Sequence, residues 1–408
     1  MSERYFDKKT MRDVPLSEAT VLLRADYNVP LTETGEIADD YRITSSLPTL
    51  NYLKEQKCRV VIISHLGRPE GVDAKFSLEP VAARLQELLG SPVTFVPDSI
   101  GDKVKVASKA MNQGDVVLLE NLRFHEQEEA NDEHFARALA VDSLAQYFVQ
   151  DGFGVVHRAH ASTAAITQFL PSVGGALLER EYDTILGVMK RPARPLTAVL
   201  GGAKIADKIE VIDAFVDIAD QIVIGGAMAN TFLQYKGLAI GKSKVEADQK
   251  DILDRIYQNA ADKVGRDKVD QFIVLPTDVA VAQSVDEKAK RREVKADQVG
   301  DEDIILDIGS HTAHDIAKHI GAHGTVVWNG TLGYAELQQF SYGSARLALH
   351  LAKHTHIKSI VGGGDTADFV LGWDKRKGKS FSHISTGGGA SLELMSGKRL
   401  PGVEALLN

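Results

Sequence analysis

Four short apolar runs in the first half of the chain each lead to an arginine or a histidine. Val21–Leu23 is followed by Arg24-Ala-Asp26-Tyr-Asn28, Val60–Ile63 by Ser64-His65-Leu-Gly-Arg68, and Val116–Leu119 by Glu120-Asn-Leu-Arg123. Tyr147–Val149 leads on to His157-Arg158-Ala-His160, and Arg42 stands at a loop-to-helix boundary after the first run. Guanidinium pairs bidentately with phosphate and carboxylate. If the runs are strands of one sheet, these cations converge on one rim, and that rim suits a small ligand with several negative charges. Asp26 and Asn28 add an acceptor and an amide that could hold a hydroxyl. A lone arginine reads best as a surface ion-pair partner; four strand ends in succession do not.

The second half carries a different chemistry. Its apolar runs end in Gly201-Gly202-Ala-Lys204, Gly225-Gly226-Ala227, Gly362-Gly363-Gly364-Asp365-Thr366 and Thr386-Gly387-Gly388-Gly389. Glycine lets backbone N–H groups approach a phosphate, and a helix N-terminus adds a favourable dipole. Lys204 and Lys208 are four apart and would share a face of a helix starting near Lys204. Two ammonium groups beside glycine loops suit a polyphosphate. Asp365, between a glycine run and a helix, is placed to hold Mg²⁺ beside it.

Three patterns compete. Gly237-Leu-Ala-Ile-Gly241-Lys242-Ser243 has three residues between its glycines where a nucleotide P-loop needs four, so it reads as a helix-end loop. Gly362-x-Gly364-x-x-Ala367 fits a dinucleotide fingerprint in its Gly/Ala variant, a pattern common by chance. His157 and His160, three apart, could ligate a metal from one helical face, but no third ligand has sensible spacing.

The elements that position these residues follow from the apolar runs. A second set comprises Thr197–Leu200, Ile222–Ile224, Phe272–Leu275, Ile304–Ile308, Thr325–Trp328 and Ile357–Val361. Continuous rather than alternating apolarity points to strands buried on both faces, as in parallel sheets. Helix-like stretches such as Leu78–Leu89, Asn131–Leu139, Lys208–Ala219 and Ala345–His354 lie between them. The chain therefore reads as α/β, with two doubly wound, Rossmann-like parallel-sheet domains. Between the two groups of strands, Leu177–Pro195 begins as a helix with Leu178, Tyr182, Ile185 and Met189 on one face and ends at two prolines. It reads as an interdomain helix and hinge, with the ligands meeting in a cleft. The domains expected are 1–180, with a C-terminal tail 396–408 returning to it, and 181–395.

Bulk properties agree. A length of 408 residues exceeds what one core usually supports. Apolar residues are 44% and charged residues 25%, an ordinary globular mix. A formal charge of −9 argues against broad binding to nucleic acid or anionic membrane. The single cysteine, Cys58, excludes an internal disulfide framework, and it reads as a half-buried, inert thiol. No apolar run approaches membrane-spanning length, and the charged start has no signal-peptide core. A cytoplasmic monomer is expected.

Nine segments together resemble the successive signatures of phosphoglycerate kinases: RADYN, YRI, SHLGRP, ENLRF, HRAHAS, GGAKIADK, WNG, GGGDTA and HISTGGGASLE. The resemblance runs from about Thr20 to Leu406, in family order. It implies two lobes joined by a helix, with Leu400-Pro-Gly-Val403 returning to the first. It implies reversible, Mg²⁺-dependent phosphoryl transfer from 1,3-bisphosphoglycerate to ADP, giving 3-phosphoglycerate and ATP. By the same resemblance Arg68, Arg123 and Arg158 hold the non-reacting phosphate. Asp26 and Asn28 hold the hydroxyl region with His65 nearby, and Arg42 sits at the reacting carboxylate. Lys204, Lys208, Asn329 and the loop Gly363, Gly364, Asp365, Thr366 bind the nucleotide, Asp365 holds the metal, and Glu336 contacts the ribose. Arg42, Lys204 and Lys208 would stabilise the phosphoryl in flight.

The sequence also departs from the family pattern. Thr331 replaces a proline after Trp328-Asn329-Gly330, and Tyr334-Ala335 replace Val-Phe before Glu336. Ser310-His311, Gln150, Gly152 and Ala227 differ too. Compensated drift is one explanation; an altered base pocket with relaxed purine preference is another. Two rival functions are an NAD-dependent dehydrogenase built on Gly362–Ala367 and a non-catalytic paralogue acting as a binding protein. The first leaves the lysine pair and the other glycine loops unexplained. The second is opposed by the retained Arg42, Lys204, Lys208 and Asp365.

Overall fold

The computed structural model describes residues 4–408. It divides into two compact units, residues 4–183 with 398–408, and residues 184–397. The division falls inside a 15-residue helix. Among the described residues no helix is long and apolar enough to cross a membrane.

The first unit is one six-stranded parallel sheet. Its strands are β1 (Thr20–Arg24), β2 (Arg59–Ile63), β3 (Val93–Val96), β4 (Val116–Leu119), β5 (Tyr147–Gln150) and β6 (Ser172–Gly174). Their order is β3-β4-β2-β1-β5-β6. Between them run α1 (Tyr41–Glu55), α2 (Glu79–Leu89), α3 (Asp102–Ala110) and α4 (Glu133–Asp142), and α5 (Ala176–Lys190) follows. The central strands are buried on both faces because successive side chains serve two separate cores. Val21, Leu23, Val60 and Ile62 pack with Ile43, Leu50 and Leu53 of α1 and Val81 and Leu85 of α2. Leu22, Val61 and Ile63 pack on the opposite face with Val104 of α3 and Phe135 and Leu139 of α4. Local signals set the helix ends. Asp132 accepts the Phe135 N–H at the start of α4, and left-handed Gly90 ends α2. The start of α5 is held by Asp151, whose Oδ1 accepts the Leu177 N–H at 2.9 Å. Cys58 is fully rather than half buried, with its thiol donating to the Leu16 carbonyl.

The second unit has a parallel sheet and a small antiparallel one. The parallel strands are β7 (Leu196–Leu200), β8 (Gln221–Ile224), β9 (Ile273–Val274), β13 (Gly324–Asn329), β14 (Ile357–Gly362) and β15 (His383–Ile384). Their order is β15-β14-β13-β7-β8-β9. The antiparallel sheet, ordered β11-β10-β12, consists of β10 (Asp278–Ala282), β11 (Arg292–Lys295) and β12 (Ile304–Ile308). The helices are α6 (Ile209–Ile218), α7 (Gly226–Tyr235), α8 (Lys250–Val264), α9 (Val269–Phe272), α10 (Ser310–Ile320), α11 (Tyr342–Lys353), α12 (Gly364–Trp373) and α13 (Gly389–Met395). The last helix, α14 (Pro401–Glu404), belongs to the first unit. There the Gly402 N–H donates to the Val156 carbonyl and Leu407 N–H to that of Ser172.

Two strand expectations need correcting. Ile304–Ile308 is β12 of the antiparallel sheet, not of the parallel one. Its two faces are covered by different clusters, one with Leu233 and Val279 and the other with Phe340. Continuous apolarity reports that coverage and is blind to pairing direction. In Phe272–Leu275 only Ile273–Val274 pairs, because Phe272 ends α9.

Leu22 is wholly buried at the centre of the first sheet. Leu22→Ala should cost about 2–5 kcal/mol by the usual transfer and cavity terms. Urea unfolding followed by circular dichroism checks this; an unchanged midpoint would contradict the packing described.

Candidate active site

In open parallel sheets, ligands bind beyond the carboxyl ends of the strands. In the first unit β1, β2, β4 and β5 deliver their charged residues to that edge. Arg42, in the first turn of α1, forms an ion pair with Asp26. Asn28 uses its carbonyl to accept the Gly67 N–H at 2.8 Å, leaving its amide nitrogen to donate. Gly67 has φ +65°, and a Cβ there would lie 2.4 Å from the Phe76 ring, so only glycine fits. Its carbonyl accepts from Arg123 Nη1 at 2.6 Å. Asn121 ties this loop to the next: its side chain accepts from Leu66 and Arg123 N–H and donates to the Leu66 and Phe76 carbonyls. Arg68 and Arg158 are exposed beside the half-buried Arg123. Burial pushes the Arg123 pKa down; the nearby Glu129 opposes this, while the charges of Arg158 and Arg68 add to it.

Beneath them lies a layer that sequence reasoning missed. Arg24 is 1% exposed. Its Nε donates to Ser162 Oγ at 2.8 Å and its Nη1 to the Ala25 carbonyl at 2.5 Å. Its Nη2 lies 3.2 Å from His65 Nδ1. Arginine has only donors, so His65 Nδ1 accepts and the ring proton sits on Nε2. The nearest counter-charge is Glu128, also 1% exposed, at 3.9 Å. Glu128 accepts from the hydroxyl and the N–H of Ser162. Burial, then the charges of Arg24, Arg123 and Arg42, hold the His65 pKa well below the usual imidazole value. His65 is therefore a neutral donor in a field of fixed cations. Arg24 was visible as a strand end, but nothing in its spacing marked it as interior. Glu128 stands in the acidic run Glu126–Glu129 and reads as surface. His157 lies in a turn and His160 in a loop, neither on a helix, and the described residues contain no group of three or more His, Cys, Asp or Glu arranged for a metal.

In the second unit the glycine loops meet at the ends of β7, β8, β13 and β14. They bound a cavity of about 450 Å³ lined by Gly202, Gly226, Ala227, Thr331, Tyr334, Glu336 and Asp365, with apolar walls from β12 and α7. The glycines serve close backbone approach. A Cβ on Gly201 would lie 2.1 Å from the Thr331 carbonyl oxygen. Lys208 is buried, and its ammonium donates to the Asn329 carbonyl at 2.8 Å and to Asn329 Oδ1 at 2.7 Å. Asn329 Nδ2 is buried without a hydrogen-bond partner. Thr366 accepts the Gly330 N–H at 2.7 Å, joining the β13 and β14 loops. Asp365 lies in the first turn of α12.

One expected relation fails. Lys204 and Lys208 do not share a helical face, because α6 begins only at Ile209 and both lysines lie in the preceding loop. The loop sends Lys208 inward and leaves Lys204 exposed. Residues of the antiparallel sheet and of α7, including Asn230 and Leu233, also line the cavity and were not anticipated. The Gly362–Ala367 pattern does join a strand to a helix, and the loop it makes is one of the glycine loops at this edge of the sheet. Gly237–Ser243 is the loop after α7, as its spacing suggested.

Two parallel α/β sheets, one with a guanidinium rim and one with a glycine–lysine pocket, define a kinase. The family model described as phosphoglycerate kinase matches residues 11–398. The phosphoglycerate kinase of Pelotomaculum thermopropionicum is 45% identical over 98% of this chain and 99% of its own. The cytosolic phosphoglycerate kinase of Triticum aestivum is 43% identical over 97% of each. Among solved structures, phosphoglycerate kinase from Coxiella burnetii matches with TM-score 0.81 and 37% identity over 98% of both chains. That from Pyrococcus horikoshii matches with TM-score 0.83 and 29% identity, again over 98% of both. The chain belongs to the phosphoglycerate kinase family.

Burial pushes the Lys208 pKa down to about 8, against the charge of Asp365. Its charge is present below that pH and is lost above it. An ADP phosphate held at Lys208 would favour the charged form, so on that placement ADP affinity should fall as pH rises past about 8, approaching tenfold per unit. Calorimetric titrations across this range test it. A flat profile would mean Lys208 does not face the phosphates.

Proposed function

We propose that this protein transfers a phosphoryl group reversibly between 1,3-bisphosphoglycerate and ADP, in glycolysis and gluconeogenesis, as a cytoplasmic monomer. The observation carrying this reading is the pairing of charge with ligand type. Arg42, Arg68, Arg123 and Arg158 gather at one sheet's strand ends, while Lys208 is buried under glycine loops at the other's. The first unit binds the acid: Arg68, Arg123 and Arg158 take its phosphate, and Asp26, Asn28 and His65 take its hydroxyl region. The second binds the nucleotide: Lys204, Lys208, Asn329 and the Gly363–Thr366 loop take its phosphates, and Glu336 the ribose.

In the ATP-forming direction an oxygen of the ADP β-phosphate attacks the acyl phosphorus. The bond from phosphorus to the carboxyl oxygen breaks and the carboxylate leaves with its electron pair. No proton moves, so no general base is needed. The transferring group spreads negative charge over its equatorial oxygens, and fixed cations and backbone N–H groups stabilise that charge. Arg42, steadied by Asp26, supplies it at the carboxylate end, and Lys204 or Lys208 at the nucleotide end. Mg²⁺ fits a site with one carboxylate beside a polyphosphate, since it usually keeps several waters and phosphate oxygens as ligands. Asp365 is that carboxylate, and the bound ion would neutralise phosphate charge.

A coupled assay with 3-phosphoglycerate, ATP and Mg²⁺ tests the whole reading; absence of turnover would end it. Arg42→Ala should lower kcat about a hundredfold or more while KM for the acid changes only a few-fold. Near-normal turnover would remove the role given to Arg42. Acid binding should also weaken with added salt, because the rim is mostly guanidinium. Titration of 3-phosphoglycerate at low and high salt gives the comparison, and equal affinities would contradict the electrostatic account.

A further inference from the structure

We infer that Asp307 is a positioning residue for the nucleoside: from β12 it pins both ends of the loop 333–343 and so sets where Tyr334 and Glu336 stand at the cavity. The inference rests on the nucleotide reading of the second unit's pocket.

The loop between β13 and α11 brings Gly333, Tyr334 and Glu336 to the cavity lining. Tyr334 and Glu336 are exposed, so packing of their own side chains does not fix them. The backbone that bears them must be held instead. On one side Gln339 donates to the carbonyls of Asp286 and Glu287, but that segment is itself exposed. The firm support is β12. The Tyr334 N–H donates to the Leu306 carbonyl at 2.7 Å. The next residue, Asp307, is 3% exposed. Its Oδ2 accepts the Gly343 N–H at 3.0 Å, and its Oδ1 accepts the Ile308 N–H at 2.9 Å. Gly333 lies against the same side chain: a Cβ there would be 2.3 Å from Oδ1, and one on Gly343 would be 2.6 Å from it. Both ends of the loop therefore close on one carboxylate.

A buried carboxylate is costly unless donors compensate it. The Arg291 guanidinium stands 3.9 Å from Oδ2 and is also paired with Glu293. The direct compensation is thus the two backbone N–H groups. Gly343 is the second residue of α11, where an N–H has no partner inside the helix and the dipole favours negative charge. Asp307 meets that need, and in doing so it fastens the loop. Both of its oxygens accept, so asparagine cannot replace it: an amide offers one oxygen and turns an NH₂ towards the other N–H. The glycine loops and lysines address the phosphates from elsewhere in the pocket. Loosening the loop should therefore weaken the hold on the nucleoside and spare that on the phosphates.

The test is calorimetric titration of the full-length protein with ADP and with tripolyphosphate, which carries phosphates and no nucleoside. Asp307→Asn should bind ADP about tenfold or more weakly than the wild type, with tripolyphosphate affinity within about twofold. In the coupled assay KM for ADP should rise by a similar factor, with kcat within about threefold. Unchanged ADP affinity would overturn the inference. So would an equal loss for both ligands, since that would mark a general structural role. Should Asp307→Asn fail to fold, Gly343→Ala takes its place. Its methyl group pushes the start of α11 away from Oδ1, and the same split between the two ligands decides. Lys208→Met separates this from the underlying reading. If that variant keeps both affinities, the pocket is not the phosphate site and the inference falls with it. If it loses both while Asp307→Asn binds ADP normally, only the Asp307 inference falls.

Discussion

A parallel strand in a covered sheet must be apolar along its length and can carry charge only beyond its last residue. That constraint governs both units. Leu22 and Val61 face one core of the first unit, and Val21 and Val60 the other, so no side of these strands is available to a ligand. Chemistry is pushed to the carboxyl ends, where the chain turns out of the sheet. Neighbouring strands end side by side, so residues far apart in sequence become neighbours. Asp26, His65, Arg123 and Arg158 come from four strands and reach one rim in this way.

Crowding cations at one edge raises a second problem, because like charges repel and buried charge is costly. The two units solve it differently. In the first, Arg24 is buried beneath the rim with Glu128 and Ser162 as partners, and His65 stays neutral. In the second, Lys208 is neutralised by no carboxylate in direct contact. Two oxygens of Asn329 accept from two of its three donors instead, and burial makes its proton less tightly held. A cation supported by dipoles rather than by a counter-ion leaves its charge available to a ligand. The glycines at 201, 226 and 330 serve this arrangement by letting three backbones touch around it.

The central strands were legible because burial on both faces writes an unbroken apolar run. Edge strands were not: Val93–Val96 is half-exposed and Ser172–Gly174 is too short to show a pattern. Pairing direction was invisible for Ile304–Ile308, since two covering clusters look the same whether neighbours run parallel or antiparallel. The strand-end cations could be read because charge directly after an apolar run is conspicuous. Their support could not. Arg24 looks like any other strand-end arginine, and Glu128 sits in an acidic run that suggests solvent. The shared face expected of Lys204 and Lys208 assumed a helix that begins one turn too early. Asn230 sits within a helix, and nothing in its spacing marked it as lining the cavity.

The final helix has a consequence for biosynthesis. Gly402 bonds to Val156, immediately before His157 and Arg158, and Leu407 bonds to the edge strand β6. These supports follow the entire second unit in the chain and so are made after it. Domains generally fold as units while the chain emerges, the N-terminal one first. Here the first unit can build its sheet early but cannot brace the loop at Val156 until the second unit and the segment 401–407 have been made. A nascent chain that stops short of residue 401 would thus lack the brace that immediately precedes His157 and Arg158.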